Sequence, residues 1–286
     1  MLYLESFTFP TNDMEIEFLW KRNVDDFYYP FKILSAHNLQ RIDFEPITVL
    51  YGGNGSGKST ALNIIAEKTK IKRDSIYNRT NFYPDYLKMC SMPILTDIPA
   101  SSRIITSDDV FDYMLNIRNL NEGIDNKKDE LFQEYLDIKY SPEYHGFQMK
   151  SLDDYEQLKK VNRIKKITQS KYVRGEVMGN VREYSNGESA YRYFTEKIGE
   201  KGLYILDEPE NSLSPKRQIE LAGFIEDSAR FYGCQFIIST HSPFLLAMKN
   251  VKIYDLDSNP VRVKRWTELE NIRIYHDFFK EHENKF

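Results

Sequence analysis

This sequence contains little cysteine, no long apolar run and no large excess of positive or negative charge. Only two cysteines occur in 286 residues, Cys90 and Cys234; they show no metal-ligand spacing and cannot form a disulfide framework, so both are expected to be reduced and buried. No stretch approaches the roughly 20 apolar residues that a membrane-crossing helix needs. The formal net charge is −4, so a nucleic-acid or membrane partner would have to use a local patch.

Composition and length are those of an ordinary globular protein. Hydrophobic residues make up 41% and charged residues 29% of the chain, and the length allows one large α/β domain or two small ones with an ample buried core. The first five residues, Met1 to Glu5, show no basic region followed by an apolar run. We therefore expect no signal peptide, no direct membrane insertion and a cytoplasmic location.

The N-terminal third predicts the beginning of an α/β fold. Met14, Ile16, Phe18 and Trp20 alternate with polar residues, which is the period of a half-buried strand. A second strand-like stretch runs from residue 32 towards 39. The continuous apolar run at 47–51 predicts a strand of a parallel sheet that is buried on both faces. A glycine-rich turn and a helix from about Ser59 follow it.

The middle of the chain differs in composition from both ends. Residues 108–183 are rich in Lys, Glu, Asp, Tyr and Gln, with apolar residues at helical spacing, and we interpret them as a helical insertion. The α/β pattern then resumes with a strand at 203–206, a helix opening at Ser214 and Pro215, and a strand at 236–238. From residue 251 we expect one or two further strands and a polar final helix.

One segment fits the pattern G-x-x-x-x-G-K-[ST] between a predicted strand and a predicted helix. Its residues are Gly52, Gly53, Asn54, Gly55, Ser56, Gly57, Lys58 and Ser59, followed by Thr60. The glycines let successive N–H groups face one anion, and the following helix adds its positive end. Lys58 can reach the β and γ phosphates of a nucleotide, and the Ser59 hydroxyl can ligate Mg²⁺. The alternative, a glycine-rich turn with an exposed lysine, does not explain the strand and helix on either side.

Two adjacent carboxylates, Asp207 and Glu208, end the apolar run at 203–206. Such a strand brings them to the carboxyl edge of the sheet, where ligands of open α/β folds bind. Asp207 can hold the magnesium shell, and Glu208 can accept a proton from an attacking water. On its own the pair is equally compatible with an ordinary acidic turn.

Two further turns carry polar groups that suit phosphate. Ser185, Gly187 and Glu188 open a predicted helix, whose N–H groups could bind a second anion, although a simple helix cap is the alternative. His241 follows the strand at 236–238 and could contact a γ-phosphate, whereas a lone histidine in a turn is more often structural.

The order of these motifs resembles that of the ABC-type ATPases. The five matches, in chain order, are Walker A at 52–59, the signature motif at 185–188, Walker B at 206–209, the D-loop at 212–215 and the switch histidine at His241. Asn186 stands where the commoner signature has glycine. Residues 210–213 and the turn at 239–243 resemble small stand-alone bacterial proteins labelled "predicted ATPase" or AAA, which are similar to SMC and recombination ATPases.

This resemblance implies a P-loop NTPase fold of ABC type, in which a mostly parallel sheet is joined by an antiparallel N-terminal β part and a helical lobe. The resemblance covers the core from about Ile47 to Ile253 and implies ATP and Mg²⁺ as ligands, and we expect one ATPase domain over residues 1–286. It also implies a head-to-tail homodimer, in which ATP on Lys58 and Ser59 of one copy is closed over by Ser185 and Gly187 of the other. Glu208, His241 and Lys58 would be the catalytic residues.

The sequence also departs from the family's transport and SMC members. Transport subunits carry a glutamine after the strand that follows the Walker A helix; the matching stretch at 104–109 has none, and Ser107 and Asp108 are weak substitutes. The helical insertion is far too short for an SMC-type coiled-coil arm. A basic run at 159–166 is either a phosphate-backbone contact or a solvated helix face, and the second alternative is favoured. Tyr28 and Tyr29 are both candidates for stacking on adenine.

Three roles are compatible with these motifs. The first is a dimeric ATPase that drives or gates a protein partner, for instance in DNA transactions. The second is the ATP-binding subunit of a transporter, which the missing glutamine argues against. The third is a nucleotide-dependent switch that restrains an effector nuclease, as in antiviral defence, with DNA or RNA as an open partner.

Overall fold

The computed structural model describes residues 2–22, 28–140, 155–177, 179–180 and 186–285. It divides into two compact units, Met1–Phe111 together with Ser185–Phe286, and Asp112–Tyr184. Eight strands lie within the described residues: β1 (Ser6–Thr8), β2 (Arg41–Asp43), β3 (Ile47–Tyr51), β4 (Arg103–Thr106), β5 (Gly202–Asp207), β6 (Cys234–Ser239), β7 (Val251–Asp255) and β8 (Arg262–Lys264).

The described helices lie between and after these strands. They are α1 (Asn12–Arg22), α2 (Lys58–Thr69), α3 (Tyr83–Met89), α4 (Ser107–Tyr140), α5 (Tyr155–Lys166), α6 (Gln169–Glu176), α7 (Asn186–Lys197), α8 (Pro215–Phe231), α9 (Pro243–Leu246) and α10 (Glu270–Glu281). Short 3-10 helices include Pro209–Ser212, directly after β5.

The central sheet has the strand order β4-β5-β6-β3-β7-β8. Pairing is parallel from β4 to β7, and only β8 runs antiparallel. Every residue of β3 and β6 is buried, because both strands lie inside the sheet and helices cover its faces. β1 and β2 form a separate antiparallel pair. The predicted mostly parallel α/β fold with an antiparallel N-terminal part is confirmed.

The two predicted N-terminal strands are wrong. Residues 12–22 form helix α1, and the stretch from 32 to 39 contains turns and a 3-10 helix at Ser35–His37. On α1 the buried side chains are Glu15 and Leu19, four residues apart, while Trp20 is 83% exposed. Glu15 is buried because its carboxylate accepts hydrogen bonds from the Lys32 N–H at 2.5 Å and the Ser35 hydroxyl at 2.8 Å. Met14, Ile16 and Trp20 of the apparent alternation are all exposed, so the apolar pattern did not mark the buried face of α1.

The second unit has an apolar core of its own, built from α4, α5 and α6. That core contains Leu131, Tyr135, Ile138, Val161, Ile164, Tyr172 and Val173. Cations of the basic run on α5 are ion-paired inside this unit: Lys159 with Glu156, Lys160 with Glu134 and Arg163 with Glu176. These pairs fit the solvated helix face that the sequence favoured over a phosphate-backbone contact.

The C-terminal segment forms β7, β8 and helix α10, so the predicted further strands and final helix are present, and α10 also carries exposed apolar side chains. Ile272 is buried, whereas Ile274, Tyr275 and Phe278 are each at least half exposed. Within the described residues, none of the helices combines the length and the apolar character needed to cross a bilayer. Both cysteines are free and buried, as predicted.

Candidate active site

The glycine-rich segment at 52–59, called the phosphate loop from here on, lies between β3 and the first turn of α2. Gly57 has a φ of +90°, and a Cβ added there would lie 2.9 Å from Leu34 Cδ2, so both backbone and packing require glycine. The N–H of Ser56 donates to the Gly53 carbonyl oxygen over 3.2 Å, which closes the turn. The loop thus leads directly into the positive N-terminal end of a 12-residue helix.

Parallel pairing aligns the ends of neighbouring strands at one edge of the sheet. In the register, Thr106 of β4 lies opposite Asp207 of β5, Asp207 opposite Ser239 of β6, and Ser239 opposite Leu50 of β3. The phosphate loop starts two residues after Leu50. The fold therefore brings the loop, the two carboxylates and the turn that carries His241 to the same edge.

Lys58 is the buried cation of this edge. Its side chain is 4% exposed, and its ammonium donates to the carbonyl oxygens of Gly52 at 2.8 Å and Gly53 at 3.1 Å. The same ammonium lies 3.7 Å from the Glu208 carboxylate. The cation is held at the loop by neutral carbonyls and one acid, and a bound phosphate can take over these contacts.

Ser59 and Asp207 meet across the gap between α2 and β5. The Ser59 hydroxyl lies 3.1 Å from Asp207 Oδ1, which also accepts a 2.5 Å hydrogen bond from the Ser239 hydroxyl. Burial raises the pKa of Asp207, while the bonds from Ser239 and Ser59 oppose that rise. A hydroxyl and a carboxylate oxygen at this distance fit Mg²⁺, which binds few protein oxygens and completes its shell with water and phosphate.

Glu208 lies between the two basic groups of the site. Its backbone is left-handed, with φ at 47°, and its N–H donates to the carbonyl oxygen of Ser239 at 3.1 Å and to its hydroxyl at 3.0 Å. One carboxylate oxygen lies 3.6 Å from His241 Nε2, and the other accepts a 3.1 Å hydrogen bond from Asn211. The pKa of Glu208 is lowered to about 2, chiefly by the hydrogen bond with His241 and further by Asn211 and Lys58. Burial acts in the opposite direction and is outweighed. Glu208 is therefore ionised at neutral pH.

His241 is fixed by a second carboxylate, Glu210. The backbone N–H of His241 donates to Glu210 Oε1 over 2.6 Å, and burial raises the pKa of Glu210. The imidazole also packs edge-on against the ring of Tyr51, with ring centroids 6.1 Å apart. The histidine is thereby oriented towards Glu208, with its Nε2 buried.

Of the predicted signature motif at 185–188, called the signature turn from here on, residues 186–188 begin α7, and Ser185 falls outside the described residues. A Cβ added at Gly187 would lie 3.6 Å from the Ser212 carbonyl oxygen and from the Ser214 nitrogen, so Gly187 packs on the backbone of the D-loop. Within the described part of the chain, neither Gly187 nor Glu188 makes a hydrogen bond or ion pair with the phosphate loop of the same chain.

A family model described as "ABC transporter" matches residues 40–211, which is more than half of the chain. The chain belongs to this family of ATPases. A second model, whose description refers to an AAA domain and to the AbiEii toxin of a type IV toxin–antitoxin system, matches residues 180–247. Among curated proteins, none matches the chain.

Solved structures similar to this ABC ATPase include SMC heads and a transporter cassette. The Smc head domain of Pyrococcus furiosus, bound to the C-terminal domain of ScpA, is 13% identical over 97% of this chain and 100% of that chain, with a TM-score of 0.42. The SMC head domain of Thermotoga maritima is 12% identical over 92% and 99%, with a TM-score of 0.40. A dimeric bacterial ABC transporter cassette is 12% identical over 79% and 88%, with a TM-score of 0.38. The family assignment rests on the sequence model and not on these low scores.

The structure of this ABC ATPase also locates the stretch with the missing glutamine and one of the two candidates for stacking on adenine. At the position of the missing glutamine, Thr106 ends β4 opposite Asp207, and its N–H and hydroxyl bond to Asp109 at 2.7 and 2.9 Å. Ser107 and Asp108 then begin α4. Of the candidates for adenine stacking, Tyr29 lies beside the loop helix, with its hydroxyl 3.4 Å from that of Thr60.

Three residues at the site were not singled out from the sequence. Ser239 bonds to both Asp207 and the Glu208 backbone, and Glu210 holds His241. Asp257 accepts the Gly53 N–H with both carboxylate oxygens at 2.8 Å. Glu210 and Ser239 lie in the two stretches that resemble the stand-alone ATPases, but nothing in the sequence gave them a role, and Asp257 had only its position just beyond a core strand as a signal.

Proposed function

We propose that this ABC ATPase binds MgATP at the phosphate loop and hydrolyses it. The observation that carries the proposal is the convergence of five side chains at one sheet edge: Lys58, Ser59, Asp207, Glu208 and His241. The contacts that link them span 3.1 to 3.7 Å. A loop that only bound an anion would need the lysine but not the paired carboxylates.

Each residue then has a defined role. Lys58 and the loop N–H groups of residues 52–60 hold the β and γ phosphates. Ser59 and Asp207 would hold Mg²⁺, which would neutralise charge on the phosphate oxygens. Glu208 accepts the proton of the attacking water, and His241 contacts the γ-phosphate.

The low pKa of Glu208 makes its carboxylate a weak base while no nucleotide is bound. Its carboxylate is stabilised by His241 and Lys58, and both of these groups would be drawn to a bound γ-phosphate. Losing those contacts raises the basicity of Glu208, because nearby positive charge is what favours its ionised form. Binding of the nucleotide would therefore activate the base.

The signature turn supports a dimer as the working form. Gly187 and Glu188 open α7, whose N-terminal N–H groups suit a phosphate, yet they make no bond to the phosphate loop of their own chain among the described residues. A second copy placed head to tail brings Ser185, Gly187 and Glu188 over the ATP held by Lys58. We place this dimer in the cytoplasm, as one ATPase domain with the helical insertion at 108–183.

For the biological process that the ATPase serves, we propose three candidates. In the first, the ATPase drives or gates a protein partner, with DNA or RNA as a further candidate partner. A nucleotide-dependent switch that restrains an effector, as in antiviral defence, is the second candidate, and the match of residues 180–247 to a family whose description refers to a toxin–antitoxin system favours it. A transporter subunit is the third candidate.

Replacing the base tests the proposal directly. Glu208→Gln keeps the shape of the site but cannot accept the proton, so ATP turnover should fall about 10²–10⁴-fold. ATP affinity, measured by equilibrium titration, should persist. Turnover at the wild-type rate in this variant would remove Glu208 from the reaction, and absence of turnover in the wild type with Mg²⁺ would refute the ATPase itself.

A further inference from the structure

Gln218, in the first turns of α8, bridges two turns that belong to different parts of the site. Its amide nitrogen donates to the Leu213 carbonyl oxygen over 2.9 Å, and its amide oxygen accepts from the Ser242 hydroxyl over 2.7 Å. Because a carbonyl oxygen can only accept, the amide has one orientation that satisfies both partners. Gln218 therefore joins the D-loop to the turn that carries His241.

The His241 end of this bridge is rigid. Ser242 is 3% exposed, and its hydroxyl also accepts the N–H groups of Phe244 at 3.2 Å and Leu245 at 3.3 Å. Its own N–H donates to the Thr240 hydroxyl over 3.0 Å. Because these bonds join Ser242 to residues 240, 244 and 245 of the same turn, the turn forms one hydrogen-bonded unit, and a displacement of His241 is passed on to Ser242 within it.

The Leu213 end of the bridge leads to the signature turn. Leu213 lies between Ser212 and Ser214, whose backbone atoms pack on Gly187. The guanidinium of Arg217, next to Gln218, also lies 5.4 Å from the ring of Tyr191 on α7. The start of α7 is thus attached to the first turns of α8 by packing and by a cation–π contact.

We propose that Gln218 is a positioning residue that couples the two ATP sites of the dimer. The inference rests on the proposed function, because in the head-to-tail dimer His241 and Gly187 of one chain serve different sites. Binding of a γ-phosphate at His241 moves Ser242, and Gln218 transmits that displacement to the D-loop and to Gly187. The signature turn is then set for closure over the nucleotide of the partner copy.

Two substitutions separate the bridge from simple packing. Gln218→Leu has similar bulk and removes both hydrogen bonds. Gln218→Glu still accepts from Ser242 but cannot donate to Leu213, and it brings a carboxylate oxygen against a carbonyl oxygen. Asp227→Ala, on the exposed side of the same helix, is the matched control.

Steady-state hydrolysis against ATP concentration gives the decisive measurement. The wild type and Asp227→Ala should show a Hill coefficient above 1, with two sites as its upper bound. Both Gln218 variants should show a Hill coefficient of about 1 and a lower kcat than the wild type. In chains that carry Ser185→Arg, closure of the dimer does not contribute to ATP binding. Adding a Gln218 substitution to such chains should therefore leave their ATP affinity unchanged.

The possible failures are distinguishable. If Gln218→Leu keeps the wild-type Hill coefficient, or if the wild type itself hydrolyses ATP with a coefficient of 1, the coupling is refuted and the ATPase proposal stands. If the wild type neither hydrolyses ATP nor dimerises with it, both proposals fall before any Gln218 variant is made. If the leucine variant does not fold, the Hill coefficient of Gln218→Glu decides in its place.

Discussion

The backbone N–H of His241 and the carboxylate of Glu210 are joined by a 2.6 Å hydrogen bond. This bond ties the turn after β6 to the 3-10 helix after β5, and it fixes a histidine that lies 3.6 Å from Glu208. Glu210 does not face the phosphate loop in any described contact. Its contribution is therefore to hold His241 in place.

Glu210→Ala should lower kcat by about 10- to 100-fold, because a small displacement of a group at the reacting phosphate is costly. Glu210→Gln should retain most of the activity, since its amide oxygen accepts the same N–H. Steady-state kinetics on the two variants, with ATP affinity measured separately, checks this. Equal loss in both variants would mean that the charge of Glu210, and not its hydrogen bond, is what matters.

Lys58→Ala should weaken ATP binding by roughly 10- to 100-fold, which corresponds to the loss of one charge-assisted hydrogen bond. The ammonium is almost fully buried at the loop, so a solvent-exposed lysine elsewhere cannot replace it. Equilibrium titration with ATP gives the affinity, and Lys216→Ala on the exposed start of α8 is the control. Unchanged affinity in the Lys58 variant would show that the loop does not hold the phosphates.

The stability of the folded chain should depend on pH through the ionisation of Glu208. Its pKa is lowered from 4.5 to about 2 in the folded chain. A group whose pKa falls on folding stabilises the fold above its unfolded pKa, and that stabilisation is lost as the pH drops towards the folded value. The difference in melting temperature between wild type and Glu208→Gln should therefore be largest above about pH 5 and should narrow below it. A difference that stays constant from pH 6 to about pH 3 would contradict the ion contacts of Glu208.

The sheet and the phosphate loop could be predicted because their signals are local. A continuous apolar run such as 47–51 leaves few alternatives to a buried strand, and glycines before a lysine specify both the turn and the ligand class. Asp207 and Glu208 follow from the same logic, since the residue after a core strand lies at the edge where ligands bind.

The errors came from tertiary contacts that no local pattern contains. Glu15 is buried on α1 because Lys32 and Ser35, outside the helix, supply hydrogen bonds, whereas Met14, Ile16 and Trp20 of the same helix are exposed. The apolar residues therefore did not mark the buried face, and the helix was predicted as a strand. Gln218 gave no sequence signal at all, because its two partners come from separate turns. Side chains that connect motifs are found only when the motifs have been placed in space.

The central claim is that two chains share their sites, and it can be tested by mixing two inactive variants. Ser185→Arg places a bulky side chain at the signature turn, and Lys58→Ala disables the phosphate loop. In a head-to-tail mixed dimer, one composite site carries both defects and the other carries neither. Size-exclusion chromatography first establishes that the variants exchange subunits.

ATP hydrolysis by the mixture is the most direct measurement of this sharing. Each variant alone should be nearly inactive, and mixing should restore a substantial part of the wild-type rate, because one intact site forms in every mixed dimer. Samples of Glu208→Gln mixed with Lys58→Ala serve as a comparison, since an intact site needs both residues from the same chain and no recovery is expected. Recovery in the Ser185→Arg mixture alone supports the shared site, whereas a rate equal to the sum of the two inactive samples would contradict it.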